Sequence, residues 1–305
     1  MNTVIDKELI RRDLYNGILE KVRKLLKDEK LRIIFIDQLI TRYVLNKNIT
    51  KTPEDDPIFI TSESKLGKDQ IVEDFRYNNI KLSPDVLIEL LEEEFIRCSD
   101  IVRTTNIVKT KDRVIVRSGQ LTYRGEKLRD ISSLSRFDVV NAYALNLRYT
   151  YLQIKAHNLA RTYKEYGYKS GDAAEGFASS FNHYFDEYCS AFPDLESAFG
   201  SRGSFFDVSE WHHDLVFVNP PFDVLLMTAA IYKVMSDSET MKNRFIFTLP
   251  NWTDMKAMQE LKEFKYTTSF KVYKKGELPF VDYMVNEKKF IYPCDILEVY
   301  LQNTS

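Results

Sequence analysis

Apolar residues recur at helical spacing through the first part of the chain, whereas short apolar runs separated by turns mark the last part. Near the N-terminus, residues 9 to 26 place apolar side chains on one face of a helix and Lys, Arg and Glu on the other. Residues 31 to 45 show a second apolar helical pattern. A third helix is predicted after Ser83, a capping residue that precedes Pro84 at the first helical position. The first part is therefore predicted to be mainly helical.

The middle of the chain contains loop, hairpin and helix patterns. Residues 51 to 68 are rich in Pro, Asp, Ser and Gly, which predicts a long surface loop. Two β-prone runs within 113 to 124 flank Ser-Gly-Gln and predict a hairpin. From 138 to 166 the apolar spacing is that of one long helix, which Gly167 is expected to end.

The run from 215 to 218 is wholly apolar and leads directly into Asn219, Pro220, Pro221 and Phe222. A continuous apolar run of this length is typical of a central parallel strand. Residues 224 to 234 follow with an apolar helical pattern. Because ligands of open α/β sheets bind at the carboxyl ends of the strands, the tetrapeptide is predicted to lie at a ligand site.

The same four residues have the chemistry needed to methylate an exocyclic amine. The amine of adenine is a weak nucleophile, since its lone pair is delocalised into the ring. The side-chain oxygen of Asn219 and the carbonyl of Pro220 would each accept one N–H and aim the remaining lone pair at a methyl group. Phe222 would stack on the base, contributing about 1–3 kcal/mol, and Pro221 would stiffen the turn. The alternative is an ordinary strand-ending turn, because Asn and Pro both favour turns.

Composition narrows the class of protein. The 305 residues include 43 Lys and Arg against 45 Asp and Glu, a net charge of −2, which excludes a global basic field for long nucleic acid. The three cysteines are far apart and include no C-x-x-C pair, so neither a metal site nor a disulfide framework is expected. Without an apolar run of about 18 residues or a secretory signal, an intracellular, soluble protein with no membrane partner is expected.

Residues 171 to 221 are interpreted as the half of a methyltransferase fold that binds the methyl donor. Small residues after Asp172 are placed where a strand would turn into a helix, predicted over 181 to 192. Glu175 is a candidate for ribose hydroxyls or the amino-acid end of S-adenosylmethionine. The glycine-containing segment 199–203 is a second candidate loop, and Asp207 could accept the amine of the donor's adenine. Ordinary turns are the alternative reading of each.

Four strings, at 180–194, 199–203, 219–222 and 245–254, closely resemble the phosphorylated-CTD-interacting-factor family of cap-specific adenosine-N6 methyltransferases. Tyr-Cys-Ser-Ala-Phe-Pro-Asp and Phe-Gly-Ser-Arg-Gly are the specific parts of the match. The resemblance covers roughly residues 168 to 302, and the N-terminal half is similar only in architecture.

The resemblance implies an α/β fold class: a seven-stranded, Rossmann-like S-adenosylmethionine-dependent methyltransferase domain at 136–305, preceded by a mainly helical domain at 1–135 with an RNA- or cap-binding role. It implies methyl transfer to N6 of the first transcribed adenosine, usually already 2′-O-methylated, beside a 7-methylguanosine cap on an RNA substrate. The implied donor site consists of Glu175, Ala178, Ser179, Asn182, Gly200, Ser201, Arg202, Gly203 and Asp207.

The chain departs from the family in two features. Animal members carry an N-terminal WW domain that binds the phosphorylated polymerase tail, whereas Trp211 and Trp252 are the only tryptophans here and are not spaced as such a domain requires. Neither that domain nor tail binding is predicted. Family members also have Glu before the tryptophan where this chain has Asn251, which lacks the charge that would hold the cationic cap base. Asn251, Trp252 and Asp223, a partial substitute for the missing carboxylate, are the candidate cap contacts.

Two further groups invite a functional reading. His212 and His213 are adjacent on a predicted strand and point to opposite faces, which favours a structural role over shared metal binding. Basic and aromatic residues alternate between 262 and 275, which is typical of RNA contact surfaces but also of a solvated face. The basic members are Lys262, Lys265, Lys271, Lys274 and Lys275, and the aromatic members are Phe264, Tyr266, Phe270 and Tyr273.

Three other functions remain compatible with the tetrapeptide. The first is an adenine-N6 methyltransferase of DNA or of RNA away from a cap. The second is a catalytically idle RNA-binding accessory subunit that keeps the fold. The third is a methyltransferase of glutamine side chains, which uses a similar tetrapeptide but lacks the family strings.

Overall fold

The computed structural model describes residues 3–29, 31, 33–46, 56–60, 68–107, 112–117, 120–129, 134, 138–154, 157–282 and 288–304. The chain forms two compact units, Met1–Ile154 and Lys155–Ser305. The predicted division at residues 135 and 136 stays a prediction.

The first unit contains five helices and a small antiparallel sheet among its described residues. The helices are α1 (Thr3–Leu25), α2 (Ile33–Asn46), α3 (Lys68–Tyr77), α4 (Pro84–Thr104) and α5 (Val139–Tyr151), and the strands are β1 (Ile115–Arg117), β2 (Gln120–Tyr123) and β3 (Glu126–Arg129). The helices predicted at 9–26, at 31–45 and after Ser83 are confirmed, as is the hairpin, to which β3 adds a strand that the pattern did not predict. Most of the loop predicted at 51–68 lies outside the described residues.

The buried face of α1 is less apolar than its pattern indicates. Glu8 is fully buried and bonds Arg11 and Arg148, and Arg148 is itself completely buried. Arg11 also donates to Asp56, with Nη2 2.8 Å from Oδ2. A buried charge requires a partner of opposite sign, and here two of the partners, Arg148 and Asp56, come from segments distant in sequence. Helical spacing alone therefore could not place Glu8 and Arg11 on the buried side.

The second unit is built on a mixed sheet of six strands in the order β6-β5-β7-β8-β12-β9. Three further strands, β4, β10 and β11, form a separate antiparallel sheet. In chain order the elements are β4 (His157–Asn158), α6 (Ala160–Glu165), β5 (Ala174–Ala178), β6 (Glu187–Ser190), α7 (Pro193–Glu196), β7 (Leu215–Val218), α8 (Val224–Asp237), β8 (Arg244–Pro250), α9 (Lys256–Glu263), β9 (Thr267–Tyr273), β10 (Phe280–Asp282), β11 (Lys288–Phe290) and β12 (Ile296–Gln302).

The large sheet is covered by apolar residues on both faces, as its alternating side chains require. On one face Val216, Val218 and Phe247 pack with the apolar side of α8. On the other face Phe217 packs against Phe185, with parallel rings 5.3 Å apart. The apolar run before the tetrapeptide is therefore a central strand, as predicted, and the predicted helix after it is confirmed as α8.

Four sequence-based expectations are wrong. The helix predicted from 138 to 166 is interrupted, because Asn158 in β4 pairs with Val281 in β10. The helix predicted from 181 to 192 is a turn followed by β6, which pairs in parallel with β5. The described sheet has six strands where seven were expected, because β10 and β11 join β4 instead. The small residues before Ser179 belong to β5 itself and not to a strand-to-helix turn.

Among the helices described, none combines the length and the hydropathy needed to cross a lipid bilayer. All three cysteines are free; Cys98 and Cys189 are buried, while Cys294 is half-buried.

Candidate active site at the carboxyl edge of the sheet

Several strands of the large sheet end at the same edge. β5, β7 and β8 run parallel, so their carboxyl ends point the same way. β12 pairs antiparallel with β8 and with β9, and Ile296 is opposite both Pro250 and Tyr273. The carboxyl end of β9 therefore lies at this edge as well, which we call the carboxyl edge. β6 and β7 flank β5 on opposite sides, so the strand order reverses direction at β5. Ligands of α/β sheets bind at the point where the strand order reverses.

The predicted tetrapeptide begins directly after β7, at the carboxyl edge. Asn219 is half-buried, Pro220 is buried and Pro221 is exposed. Across the residues that the structure describes, neither the side-chain amide of Asn219 nor the carbonyl of Pro220 has a hydrogen-bond partner within the protein. Two acceptor oxygens are thus available at the position where the sequence predicts that an amine is held.

Phe222 is half-buried and already contacts other rings. Its centroid lies 4.3 Å from that of Tyr292 in a tilted arrangement and 6.2 Å from that of Phe280 in an edge-on arrangement. These contacts fix the ring at one side of the turn. The sequence did not indicate Tyr292 as part of this region, because it is distant in the chain and lies in no recognisable motif.

Asp223 begins α8. Its Oδ1 accepts the N–H groups of Leu225 and Leu226, both at 3.1 Å, which is the geometry of an N-cap. Its own N–H donates to the carbonyl of Pro221 at 2.7 Å. Asp223 therefore connects the tetrapeptide to the helix that follows it.

Two buried carboxylates hold the turn after β5, which contains the predicted donor residues Ser179 and Asn182. Oε2 of Glu175 accepts the N–H of Tyr184 at 2.6 Å and that of Phe185 at 3.2 Å. Oε1 of Glu196 accepts the N–H of Ser180 at 2.8 Å. Burial raises the pKa of Glu175 and of Glu196 to about 7 each, although these backbone bonds favour the ionised forms.

Within this turn, Ser179 and Asn182 bond each other. The hydroxyl of Ser179 donates to Oδ1 of Asn182 at 2.7 Å and accepts the N–H of Phe181 at 3.2 Å. Both side chains are almost fully buried, whereas Ala178 at the end of β5 is half-buried. Glu196, which fixes the start of the turn, was not predicted; its only sequence signal is an acid in a largely apolar stretch.

The loop Gly200 to Gly203 lies beside β6 and is tied to it. The N–H of Arg202 donates to the carbonyl of Tyr188 at 2.9 Å, and that of Ser190 donates to the carbonyl of Gly203 at 2.8 Å. Gly200 and Gly203 have φ angles of 97° and 101°, which favour glycine. The hydroxyl oxygens of Ser201 and Ser190 are 2.6 Å apart.

The side chain of Arg202 forms an ion pair with Glu187. Glu187 also bonds Nδ1 of His213 at 2.6 Å and the N–H of His212. Burial alone would raise the pKa of Glu187, but His213, Arg202 and the His212 N–H together hold that pKa below its ordinary value. His213 thus has a structural partner, and in the described part of the chain no three His, Cys, Asp or Glu side chains are grouped as metal ligands.

Asp207 ends a short 3₁₀ turn, Phe205–Asp207, and its carboxylate is exposed. The ring of Phe205 in this turn packs closely against Gly176 of β5. A Cβ added at Gly176 would be 2.7 Å from Cδ2 of that ring, so only glycine fits there. This contact places Asp207 near the strand that carries Glu175 and Ala178.

Asn251 and Trp252 follow β8 at the carboxyl edge. The N–H of Asn251 donates to the carbonyl of Asp295 at 2.9 Å, but its side-chain Oδ1 is buried with no hydrogen-bond partner among the described residues. An unpaired buried oxygen is costly and invites a donor from a ligand. Asp295 also binds Nζ of Lys274 at 3.0 Å, which connects the turns after β8 and β9.

The structure therefore brings Asn219, Ser179 and Asn251 to one edge, each directly after a parallel strand. A family model described as the phosphorylated CTD interacting factor 1 WW domain matches residues 123–283, more than half of the chain. The chain belongs to this family. The match includes the tetrapeptide, the turn after β5 and the loop beside β6.

Two curated relatives, from Mus musculus and Homo sapiens, are each named mRNA (2'-O-methyladenosine-N(6)-)-methyltransferase. Each is 38% identical to this chain over 86 residues, which are 28% of this chain and 12% of the relative. The aligned segment is therefore a small part of both relatives.

The family match overturns two expectations from the sequence. The chain was predicted to lack the WW domain of this family and not to bind the phosphorylated polymerase tail, whereas the matching model is described by that domain. The expectation was based on tryptophan spacing. Trp211 packs on Phe205 with ring centroids 6.0 Å apart, and Trp252 follows β8. The spacing between the two tryptophans is therefore set by the large sheet and does not show whether a WW domain is present.

Proposed function

We propose that the second unit is a Rossmann-like methyltransferase domain that transfers methyl from S-adenosylmethionine to N6 of adenosine in RNA. The preferred acceptor is the first transcribed adenosine, 2′-O-methylated, beside a 7-methylguanosine cap. One observation carries the proposal: Asn219 and Pro220 present two unpaired acceptor oxygens at the carboxyl edge, at the switch in strand order. The names of the two relatives support the choice of substrate.

The acceptor residues act by orientation. Oδ1 of Asn219 and the carbonyl oxygen of Pro220 each accept one N–H of the adenine amine, which turns its remaining lone pair away from the ring plane. Phe222, held by Tyr292, forms the wall against which the base stacks. Asp223 fixes the turn to α8 and so keeps the two acceptors in place.

The residues near β5 fit the methyl donor in part. Asp207 has an exposed carboxylate with no side-chain bond among the described residues, which suits the amine of the donor's adenine. Glu175 uses Oε2 for two backbone N–H groups, so Oε1 remains for a ribose hydroxyl. Ala178, Ser179 and Asn182 shape the adjacent turn. S-adenosylmethionine, when bound, supplies an electrophilic methyl group.

The loop Gly200 to Gly203 contributes backbone atoms, and not side chains, to the proposed donor site. Ser201 and Arg202 are engaged with Ser190 and Glu187, so their side chains hold the loop against β6. We assign the loop the role of a wall of the donor site, to which it offers backbone atoms. For the cap, we retain Asn251 and Trp252 as contacts and give Asp223 a supporting role. The RNA- or cap-binding role of residues 1–135 remains part of the proposal.

The decisive experiment measures transfer of labelled methyl to capped and uncapped RNAs that begin with A or G, and to duplex DNA. We expect the capped RNA beginning with A to be the best substrate. Transfer that is equal for capped and uncapped RNA, or greater for DNA, would support the alternative adenine methyltransferase. Normal donor binding without transfer to any substrate would support an idle accessory subunit.

A further inference from the structure

β9 is an edge strand of the large sheet and carries side chains that the proposed reaction does not use. Residues 268 to 272 are exposed, because among the described strands β9 pairs only with β12. Phe270 has 53% of its surface exposed and Val272 has 37%. A large exposed aromatic on an unprotected edge strand is unfavourable unless it has a partner.

Lysines lie over the aromatic rings of this region. Three Nζ atoms are 4.1 to 5.5 Å from ring centroids, in the pairs Lys262 with Phe270, Lys265 with Tyr266 and Lys271 with Tyr273. Of these rings Phe270 is exposed, whereas Tyr273 is buried. Positive charge beside an exposed ring is the combination that single-stranded nucleic acid recognises.

Only part of the positive charge is neutralised within the protein. Lys265 is paired with Glu239 at 2.6 Å and Lys274 with Asp295 at 3.0 Å. For Lys262, Lys271 and Lys275, the described residues include no carboxylate within ion-pair distance. Lys262 beside Phe270, Lys271 within β9 and Lys275 just after it are thus available for phosphates.

The position of β9 connects this surface with the proposed active site. Tyr273 ends β9 level with Pro250, so Lys274 and Lys275 emerge at the carboxyl edge. Asp295 bonds the N–H of Lys275 at 3.0 Å, and its carbonyl accepts the N–H of Asn251. The surface therefore begins at the proposed cap-contact residues and follows β9 away from them.

We propose that Lys262, Phe270, Lys271 and Lys275, together the β9 surface, bind the single-stranded RNA that continues beyond the methylated nucleotide. Phe270 and Lys271 are neighbours in the strand and lie on opposite faces of it, so the RNA would follow the outer edge of β9 and contact side chains from both faces. The inference rests on the proposed function for its choice of RNA. Phe270 offers a stacking face that does not depend on base identity, and the lysines contact phosphates. The surface would thus bring longer transcripts to the site without selecting a sequence.

The first test measures binding directly, by fluorescence anisotropy with an uncapped single-stranded RNA of about 12 nucleotides. Phe270→Ala should weaken binding about tenfold, and Phe270→Tyr should restore it, because either ring stacks. Replacing both Lys271 and Lys275 by Gln should reduce the slope of log affinity against log salt by about 1.4, which is two phosphate contacts.

A matched control is Lys242→Gln. Lys242 is also exposed and unpaired among the described residues, but it precedes β8 at the opposite edge of the sheet. Binding should stay as in the wild type. Equal losses for the Lys242 variant and the Lys271 and Lys275 variant would overturn the proposal, since a general charge effect would explain both. Tighter binding to duplex DNA than to the RNA would overturn it as well.

A second arm compares methyl transfer to a capped dinucleotide and to a longer capped RNA. The Lys271 and Lys275 variant should raise KM for the long RNA only and leave kcat unchanged. Absence of methylation by the wild type, with the binding differences intact, would reject the proposed function and not the surface. Methylation of both substrates with unchanged KM in the variant would reject the surface and not the function.

Discussion

The side chain of Asn219 has no hydrogen-bond partner among the described residues. Its proposed role is therefore to orient the acceptor amine. Asn219→Ala should lower methyl transfer on the order of 10²-fold or more, since the amine loses one of its two orienting contacts. Donor affinity, measured by calorimetry, should stay close to that of the wild type. As a control, Asn243→Ala removes an amide at the opposite edge, where it bonds the carbonyl of His213, and should keep turnover. Near-normal turnover of the Asn219 variant would contradict the proposed role.

Glu175 should make donor binding sensitive to pH. Its raised pKa of about 7 means that the carboxyl group is neutral below that pH and ionised above it. The ionised group accepts hydroxyl hydrogen bonds more strongly, so donor affinity should rise as pH increases through about 7. Calorimetric titration between pH 6 and 8 measures this. Glu175→Gln should bind with little pH dependence; the same dependence in both proteins would show that another group is responsible.

Asn251 should determine how well the protein recognises the charge of the cap. Its buried, unpaired Oδ1 can accept a neutral hydrogen bond, but it lacks the charge of a carboxylate. Asn251→Glu should therefore increase the ratio of kcat/KM between 7-methylguanosine and unmethylated caps, with kcat on the preferred cap unchanged. Strong discrimination by the wild type that Glu does not improve would place cap recognition elsewhere.

At the scale of elements, the close contact between β5 and the turn Phe205–Asp207 depends on Gly176. Gly176→Ala would push a methyl group into the Phe205 ring, which is 2% exposed and cannot move freely. We expect a loss of about 1–3 kcal/mol in the free energy of unfolding, as for other overpacked sites. Gly17→Ala is the matched control. Its Cβ meets nothing within 4 Å in α1, so it should stabilise by about 0.5–1 kcal/mol. Denaturant midpoints measure both, and equal midpoints would contradict the close-contact argument.

Elements were predicted correctly where the residues that determine them are adjacent in sequence. The strand 215–218 and the helix after it were predictable, because an apolar run and the residues that begin α8 are adjacent in sequence. Residues 181 to 192 also have apolar spacing near that of a helix. Glu175 nevertheless takes the N–H groups of Tyr184 and Phe185, and β6 then pairs with β5. Those partners are distant in sequence, so local periodicity could not reveal them.

The candidate site shows the same limit. The position of Asn219 directly after a central strand could be predicted, because the apolar run and the tetrapeptide are adjacent in sequence. Arg202 was grouped with donor contacts, but its charge is used by Glu187, and the sequence contains no sign of that pair. Glu196 was missed for the same reason. Buried charges are paired across the fold, so their roles emerge only when the elements are assembled.

At the scale of the whole second unit, Glu175 and Glu196 should make stability depend on pH. Burial raises the pKa of both to about 7 from an ordinary 4.5, so the folded unit binds these protons more tightly than the unfolded chain. Stability is then fully present below about pH 4.5 and is lost as pH rises towards 7, by about 3 kcal/mol for each carboxyl group. The lowered pKa values of Glu187 and Asp295 act only at more acidic pH. Burial lowers the pKa of His183, which opposes the trend below about pH 6.5.

Comparison with Glu196→Gln isolates one carboxyl group from these opposing effects. Both tryptophans, Trp211 and Trp252, lie in the second unit, so their fluorescence during urea unfolding reports on that unit. We expect the wild type to lose about 2–3 kcal/mol more than the variant between pH 5 and pH 8, because the variant has no proton to release at this position. Gln keeps one carbonyl oxygen for the Ser180 N–H, so the variant should still fold. If the two proteins lost the same stability over this range, Glu196 would have to be ionised at both ends of it, and the proposed burial of a neutral carboxyl group beneath the turn after β5 would be wrong.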